Sequence, residues 1–322
     1  MSDPIAGTSA GPVADLAAAP VRVDVVVVSW NVRDRLRTCL AGLLEDCPGL
    51  ELDVVVVDNA SVDGSAELVA EEFPSVQLER NAANVLYAPA VVQGARRGEA
   101  PLLLLLNPDC ELAASQLLEL AEALQADPEL AAVAPRLCYA DGSTQAALMD
   151  HPGFWSPLFF GTPLERWWPN SPELRRWFCR ERDLERDQDC PQPPAACFLV
   201  RRSVWEGLGG FDERLELFFN DADLCTRMAA AGQRIRYLAS VGVVHHTGSS
   251  TAQLPDFASH WHRDRLRYHR KHFGLLAVPL VKLCTSWTLA DHLLSGLVRR
   301  LRGGSADPAL PLLRAWGRFL LQ

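Results

Sequence analysis

"LLLLLNPDCEL", Leu102–Leu112, is an uninterrupted apolar run that stops at Asn107-Pro108-Asp109. A bilayer crossing needs about 20 predominantly apolar residues, so this run is too short to span a membrane. It has the length of a buried strand, and a strand of a parallel sheet covered on both faces carries apolar side chains on both. Pro108 has no backbone N–H and cannot continue a central ladder. The run therefore predicts a core strand whose end carries polar side chains to the edge of a sheet.

Upstream, the same pattern occurs twice more. "VRVDVVVVSW", Val21–Trp30, is rich in β-formers and gives way to the helical spacing of "VRDRLRTCLAGLLEDC". "LDVVVVDNASVDGSAELVAEEF" repeats the passage from apolar run to polar turn to helix. Such units imply parallel strands covered by helices. "SVQLERNAAN" adds a candidate strand, "APAVVQGARRGEA" a helix, "SQLLELAEALQADPEL" a helix ending near Pro128, and "AAVAPRLCY" a strand. The carboxyl ends of the strands in an open parallel sheet gather over one ligand crevice. Asp58 and Asp109 both sit at such ends.

Between Asp141 and Pro194 the alternation fades into aromatic, Gly, Pro and charged residues, as in an insertion that shapes a pocket or packs on the surface. Order returns in "AACFLVRRSVWEGLGGFDERLELFFNDADLCTRMAAAG", followed by "RIRYL" and "GVVHHTG" as two short strands. The expected organisation is a flexible leader over 1–20, an α/β domain over 21–255 with a variable insertion around 141–194, and a C-terminal helical extension over 256–322.

The 322 residues suffice for one large domain or two smaller ones. A formal charge of -9 and a pI of about 5.4 give no general attraction for nucleic acid. Nine cysteines without a close CxxC pair suit a reducing interior, hence a cytoplasmic protein. The N-terminus lacks a basic stretch followed by a compact apolar segment, so an export signal is not expected. "FGLLAVPLVKLCTSWTLADHLLSGLVRRLR" is interrupted by Lys282, Asp291 and His292, which suits a helix lying on a surface or packed on the domain.

Four places carry candidate chemistry. Asp58 can accept hydrogen bonds from a nucleoside or close an Asx turn, and Asp63 can cap the following helix. Neither a Walker A motif nor GxGxxG is present, so phosphates must be neutralised in another way. Asp109 can hold a hard divalent ion against a diphosphate or cap an exposed turn, with Asn107 adding polarity but no charge. Asp221 and Asp223 offer a general base, or acidic stabilisation of a helix N-terminus. His245 and His246 each offer a metal or phosphate ligand, but adjacent strand residues face opposite ways, so one ion would not take both.

In order and spacing, "VVVVSWNVRDRLRTCLAGL", "VVVVDNASVDGS", "LLLLLNPDCEL", "AACFLVRRSVWEGLGGFDERLELFFNDADLCTRMAAAG" and "GVVHHTGSS" resemble a family 2 glycosyltransferase of the inverting GT-A type, in its bacterial rhamnosyltransferase-like branch. The resemblance covers Val23 to Ser250. It implies an α/β GT-A fold with a mostly parallel central sheet flanked by helices, a nucleotide-diphosphate-sugar donor, and Mg²⁺ or Mn²⁺. By motif position it makes Asp58 the nucleotide contact, Asn107 and Asp109 the donor contacts, Asp109 also the metal contact, and Asp221 the catalytic base. His245 falls near the loop that closes on metal and diphosphate, with His246 as its competitor. Within that branch dTDP-L-rhamnose is the donor to expect, and the acceptor is a hydroxyl on a glycan or a lipid-linked sugar. Departures from the family pattern are Leu86 and Val91-Val92 in place of small or amide residues, Ala195 for a glycine, and Asn220 for the glutamate before the base. Other readings are a sugar nucleotidyltransferase and a catalytically weakened glycan-binding scaffold, which donor hydrolysis or transfer would separate. "HRDRLRYHRKHFG" and the apolar positions after it suggest peripheral contact with the inner face of the cell membrane; packing on the catalytic domain and a homodimer contact are the competing readings.

Overall fold

The computed structural model describes residues 19–248, 257–303 and 309–321. The leader reading thus lies outside the described residues up to position 18. Four strands build the first half of the sheet: β1 (Val21–Ser29), β2 (Leu50–Asp58), β3 (Gln77–Arg80) and β4 (Leu102–Leu106). The helices between them are α1 (Arg33–Leu43), α2 (Ser65–Glu72) and α3 (Tyr87–Ala95). There follow β5 (Cys110–Glu111), α4 (Ala114–Ala126) and β6 (Leu130–Cys138), then an insertion bearing α5 (Ser156–Phe159), α6 (Pro163–Trp167), α7 (Pro172–Trp177) and β7 (Gln188–Asp189). The chain closes with β8 (Cys197–Arg201), α8 (Arg202–Gly207), α9 (Asn220–Ala230), β9 (Arg234–His245), α10 (Phe257–Phe273), α11 (Ala277–Leu301) and α12 (Ala309–Leu320).

The strands form one sheet in the order β3-β2-β1-β4-β8-β6-β9-β5, with β7 on β9. Its long ladders are mostly parallel, and β8 runs antiparallel between β4 and β6. The leucine run shows why both faces must be apolar. Leu102, Leu104 and Leu106 pack with Leu36 and Leu40 of α1 and Leu117 of α4 in one cluster. Leu103 and Leu105 point the other way, into a cluster with Val91 of α3 and Leu224 of α9. All five leucines are at most 2% exposed. Close approach of α3 to the sheet depends on Gly94, where an added Cβ would lie 2.6 Å from Val26 Cγ1.

"RIRYL" and "GVVHHTG" form one strand rather than two. Against β6 the register of β9 jumps from Pro135↔Leu238 to Arg136↔Gly242, so three residues bulge without ending the pairing. Arg136 Nε donates to the Ala239 carbonyl at 3.0 Å and satisfies the bulge from the neighbouring strand.

The basic, aromatic helix α10 lies against the body of the domain. Arg265, Tyr268 and His269 have no exposed surface. Arg263 and Arg267 pair with Glu216, while Lys271 pairs with Asp212 at 2.8 Å and Asp223 at 2.7 Å. Arg263, Arg267 and Lys271, which the sequence offers to a lipid headgroup, are therefore engaged by carboxylates of the protein. Among the described residues no helix is long and apolar enough to cross a membrane.

Candidate active site

A cavity of about 320 Å³ opens where the ends of β1 and β4 meet the start of α9. Its walls include Asn107, Pro108 and Asp109 after β4, Asn220 and Asp221 of α9, and His245 of β9. Four residues singled out in the sequence, Asn107, Asp109, Asp221 and His245, thus share one space although they are up to 138 positions apart (245 − 107).

Asp109 is 7% exposed, and its Oδ1 has no hydrogen-bond partner among the described residues. That oxygen lies 3.5 Å from His245 Nε2. On the other side of the ring, His245 Nδ1 faces Gln145 Oε1 at 3.2 Å, while Gln145 Nε2 donates to the His245 carbonyl at 2.6 Å. A proton on Nδ1 satisfies Gln145 and leaves the Nε2 lone pair beside Asp109. Burial lowers the His245 pKa against the pull of Asp109, which favours the neutral, ligating imidazole. A buried carboxylate oxygen with no donor, next to an imidazole lone pair, fits a divalent cation. Cys110 lies close to the same pair, but its Sγ bonds to the Ala196 carbonyl at 3.3 Å and burial holds the thiol protonated.

The choice between the two histidines follows from strand pairing. Cys110 pairs with His245 across β5 and β9, and the His246 N–H donates to the Asp109 carbonyl at 2.9 Å. The His246 ring turns to Glu111, with Nε2 2.6 Å from Oε1. Only His245 lines the cavity.

Asp221 and Asp223 separate in the same way. Asp221 is half-buried and lines the cavity, and among the described residues it has no ion pair. Burial raises its pKa, opposed by backbone N–H groups including that of Ala222, which donates to Oδ1 at 2.7 Å. A carboxylate moved upward in this way is a better proton acceptor. Asp223 is fully buried and meets Arg227, Lys271 and His272. It fastens α9 to α10.

Asp58 stands behind the wall rather than in it. Its Oδ2 accepts from the Ser61 N–H at 3.0 Å in an Asx-type turn, while its buried Oδ1 has no partner. The neighbouring Asn59 lines the cavity. Asp63 has the capping role: it accepts from Ser65 N at 3.0 Å and from Arg33 N at 2.9 Å, at the starts of α2 and α1.

Four features of the site depend on backbone shape, burial or long-range contact that the sequence does not show. Leu86 has φ 70 and ψ -177, a region otherwise reserved for glycine. Asn84 Oδ1 accepts its N–H at 2.8 Å and Asn59 Nδ2 donates to its carbonyl at 3.2 Å, so the strained residue is held from both sides. Phe219, at the N-cap of α9, is left-handed with φ 60. Both line the cavity. Asn220, at the position where the family carries glutamate, is 3% exposed and its Nδ2 has no partner. Finally, Asp264 of α10 reaches under the loop before α9, and its Oδ2 accepts from Leu217 N at 3.0 Å and Phe218 N at 3.1 Å. The loop that presents Asp221 is thus fixed from the C-terminal segment.

Comparison with known proteins agrees with this geometry. A rhamnosyltransferase of Mycobacterium tuberculosis that acts on N-acetylglucosaminyl-diphospho-decaprenol is 28% identical over 84% of this chain and 89% of its own length. The O-antigen biosynthesis protein RfbC of Myxococcus xanthus is 27% identical over 76% of this chain, which spans only 19% of that longer protein. Among solved structures, a mannosyltransferase of Pyrobaculum calidifontis in complex with GDP-Man and Mn²⁺ superposes with a TM-score of 0.52, at 20% identity, over 95% of this chain and 82% of its own. That likeness shows the GT-A fold. Residues 24–209 match the sequence profile of glycosyl transferase family 2. With more than half of its length inside that profile, the chain belongs to glycosyl transferase family 2 and is a glycosyltransferase.

Proposed function

We propose that the chain transfers a sugar, with inversion, from a nucleotide-diphosphate donor to a hydroxyl of a glycan or lipid-linked acceptor. The observation that carries this reading is that Asp221 and the Asp109–His245 pair line one cavity. Asp221 takes the proton of the acceptor hydroxyl as its oxygen attacks the anomeric carbon, and the nucleoside diphosphate leaves from the opposite face. Asp109 and His245 would hold Mg²⁺ or Mn²⁺, which when bound would offset the charge on the departing diphosphate. Asn107 supplies polarity beside them without adding a charge. Asp58 keeps the strand end in register and, through Asn59, shapes the nucleoside side of the wall.

L-rhamnose carried by dTDP is the donor this reading favours, supported by the name of the Mycobacterium tuberculosis relative, whose acceptor is a decaprenol-linked sugar. The nine cysteines, all free thiols, suit reaction on the cytoplasmic side of a membrane. The test is a screen of purified protein against nucleotide sugars with and without Mg²⁺ or Mn²⁺. Metal-dependent hydrolysis or protection by dTDP-L-rhamnose supports the assignment. Turnover of another donor would replace the sugar, and absence of turnover with every donor would favour the scaffold reading.

A further inference from the structure

Leu86 holds a backbone conformation that its residue type makes costly. At φ 70 and ψ -177 the Cβ of an L residue crowds its own peptide, so glycine would sit there without strain and leucine does not. Side-chain amides enforce the geometry: Asn84 Oδ1 accepts the Leu86 N–H, Asn59 Nδ2 donates to its carbonyl, and Asn81 Nδ2 donates to Asn59 Oδ1 at 2.9 Å. Each of these bonds ends on the Leu86 backbone or on another asparagine. Glycine would make the same bonds, so what leucine adds at this position is its side chain alone.

Leu86 is half-buried and lines the cavity together with Asp109 and Asp221. Two residues on, the Ala88 N–H donates to the Glu216 carbonyl at 2.9 Å, which joins the start of α3 to the segment Leu217–Phe219. Leu217, Phe218 and Phe219 line the same cavity. Leu86 and these three side chains give this part of the lining an apolar character, and its backbone donors are largely engaged. The N–H groups of Leu217 and Phe218 donate to Asp264 Oδ2, and that of Leu86 donates to Asn84. A hydroxyl turned toward this wall gives up water without gaining a partner, whereas a methyl or C–H edge gains contact.

We infer that Leu86 is a specificity-determining residue: its side chain completes an apolar part of the donor site that accepts the deoxygenated edge of a 6-deoxy sugar and disfavours a sugar with a hydroxyl there. The inference rests on the dTDP-L-rhamnose reading above, because L-rhamnose is 6-deoxy-L-mannose and the two sugars differ only in that hydroxyl. An apolar pocket rejects an added hydroxyl by about 10²-fold, which sets the size of the preference to expect. The strain at Leu86 then has a counterpart in function. The chain gives up some stability at one peptide and gains discrimination between donors.

The experiment is release of dTDP from dTDP-L-rhamnose and from dTDP-L-mannose by the full-length parent, Leu86→Gly and Leu86→Ala in the presence of Mn²⁺. It reads kcat/KM for each donor and the melting temperature of each protein. The parent should favour the rhamnose donor by about 10²-fold, and both variants should narrow that preference at least about tenfold. Melting should separate backbone from side chain: Leu86→Gly at or above the parent, and Leu86→Ala, which keeps the strain, below Leu86→Gly. Equal use of the two donors by the parent would overturn the inference. So would an undiminished preference in Leu86→Gly, or melting of Leu86→Gly below Leu86→Ala, which would make Leu86 a packing residue. Release from neither donor by the parent would be failure of the dTDP-L-rhamnose reading, and the inference would fall with it. Rhamnose turnover with an unmoved preference in the variants would be failure of the inference alone.

Discussion

Asp221 and Asp223 are two residues apart on the first turn of one helix, yet they live in opposite electrostatic worlds. Asp221 lines the cavity, has no ion pair among the described residues, and is pushed upward in pKa by burial. Asp223 is more deeply buried, but contacts from His272, Lys271 and Arg227 outweigh that burial and hold its carboxyl below the usual range. The difference separates a carboxylate kept ready for a proton from one kept permanently charged to join two helices. Asp109, too, lines the cavity, and its buried Oδ1 has no hydrogen-bond partner among the described residues.

The strongest way to break this comparison is Asp221→Asn. Loss of the base should reduce transfer by about 10²–10⁴-fold in product assays while donor binding persists. Stability should move the other way. A folded-state pKa above 3.8 means that the fold favours the neutral acid, so that contribution is present below 3.8 and lost as pH rises through the folded value. The neutral amide should therefore melt no lower than the parent at neutral pH, with its advantage fading in acid. An unchanged rate, or a marked drop in melting temperature, would remove Asp221 from the role of base.

Asp223→Ala should give the reverse pattern. Removing one partner from a buried ionic cluster leaves Arg227 without its carboxylate and Lys271 with Asp212 alone, and costs about 3–5 kcal/mol. Because the folded pKa of Asp223 is depressed, its contribution is present above 3.8 and lost as pH falls through the folded value. Urea unfolding should show the full difference between parent and variant at neutral pH and a shrinking one in strong acid. A pH-independent difference would mean that Asp223 acts through packing rather than charge.

The smallest effect sharpens the third carboxylate. Gln145→Leu removes the partner of His245 Nδ1 and should weaken metal-dependent donor binding about 10–100-fold by calorimetric titration. The fold should lose about 1–3 kcal/mol, because the Cys138 and His245 carbonyls lose Gln145 Nε2 as a donor. Equal metal dependence in parent and variant would show that His245 needs no orientation from Gln145.

The half of the molecule built on β1, β2 and β4 is legible in the sequence because burial on both faces writes itself as unbroken apolar runs, and the turns after them carry Asp58 and Asp109. The division of labour between Asp221 and Asp223 is not, since it depends on Lys271 and His272 of α10, 48 and 49 residues beyond Asp223 (271 − 223 and 272 − 223). His245 and His246 could not be told apart for the same reason: pairing with the two-residue β5 decides which ring faces the cavity. The strained backbone of Leu86 is invisible in sequence because leucine gives no hint of a glycine-like conformation; neighbouring amides enforce it. The proper use of the cations in α10 was also hidden, because a list of charges does not say which carboxylates lie opposite.

The hold of Asp264 on the Leu217–Phe218 backbone has a consequence for the newborn protein. The clamp follows its target by 47 and 46 positions. At about 5–20 residues per second, synthesis needs roughly 2–9 s to supply it. At the start of that interval the sheet can exist as far as β8, and α9 and β9 are added during it, while the segment that presents Asp221 is still without its anchor. Competence for catalysis should therefore arise late and abruptly during translation, when α10 settles, rather than growing in step with the sheet.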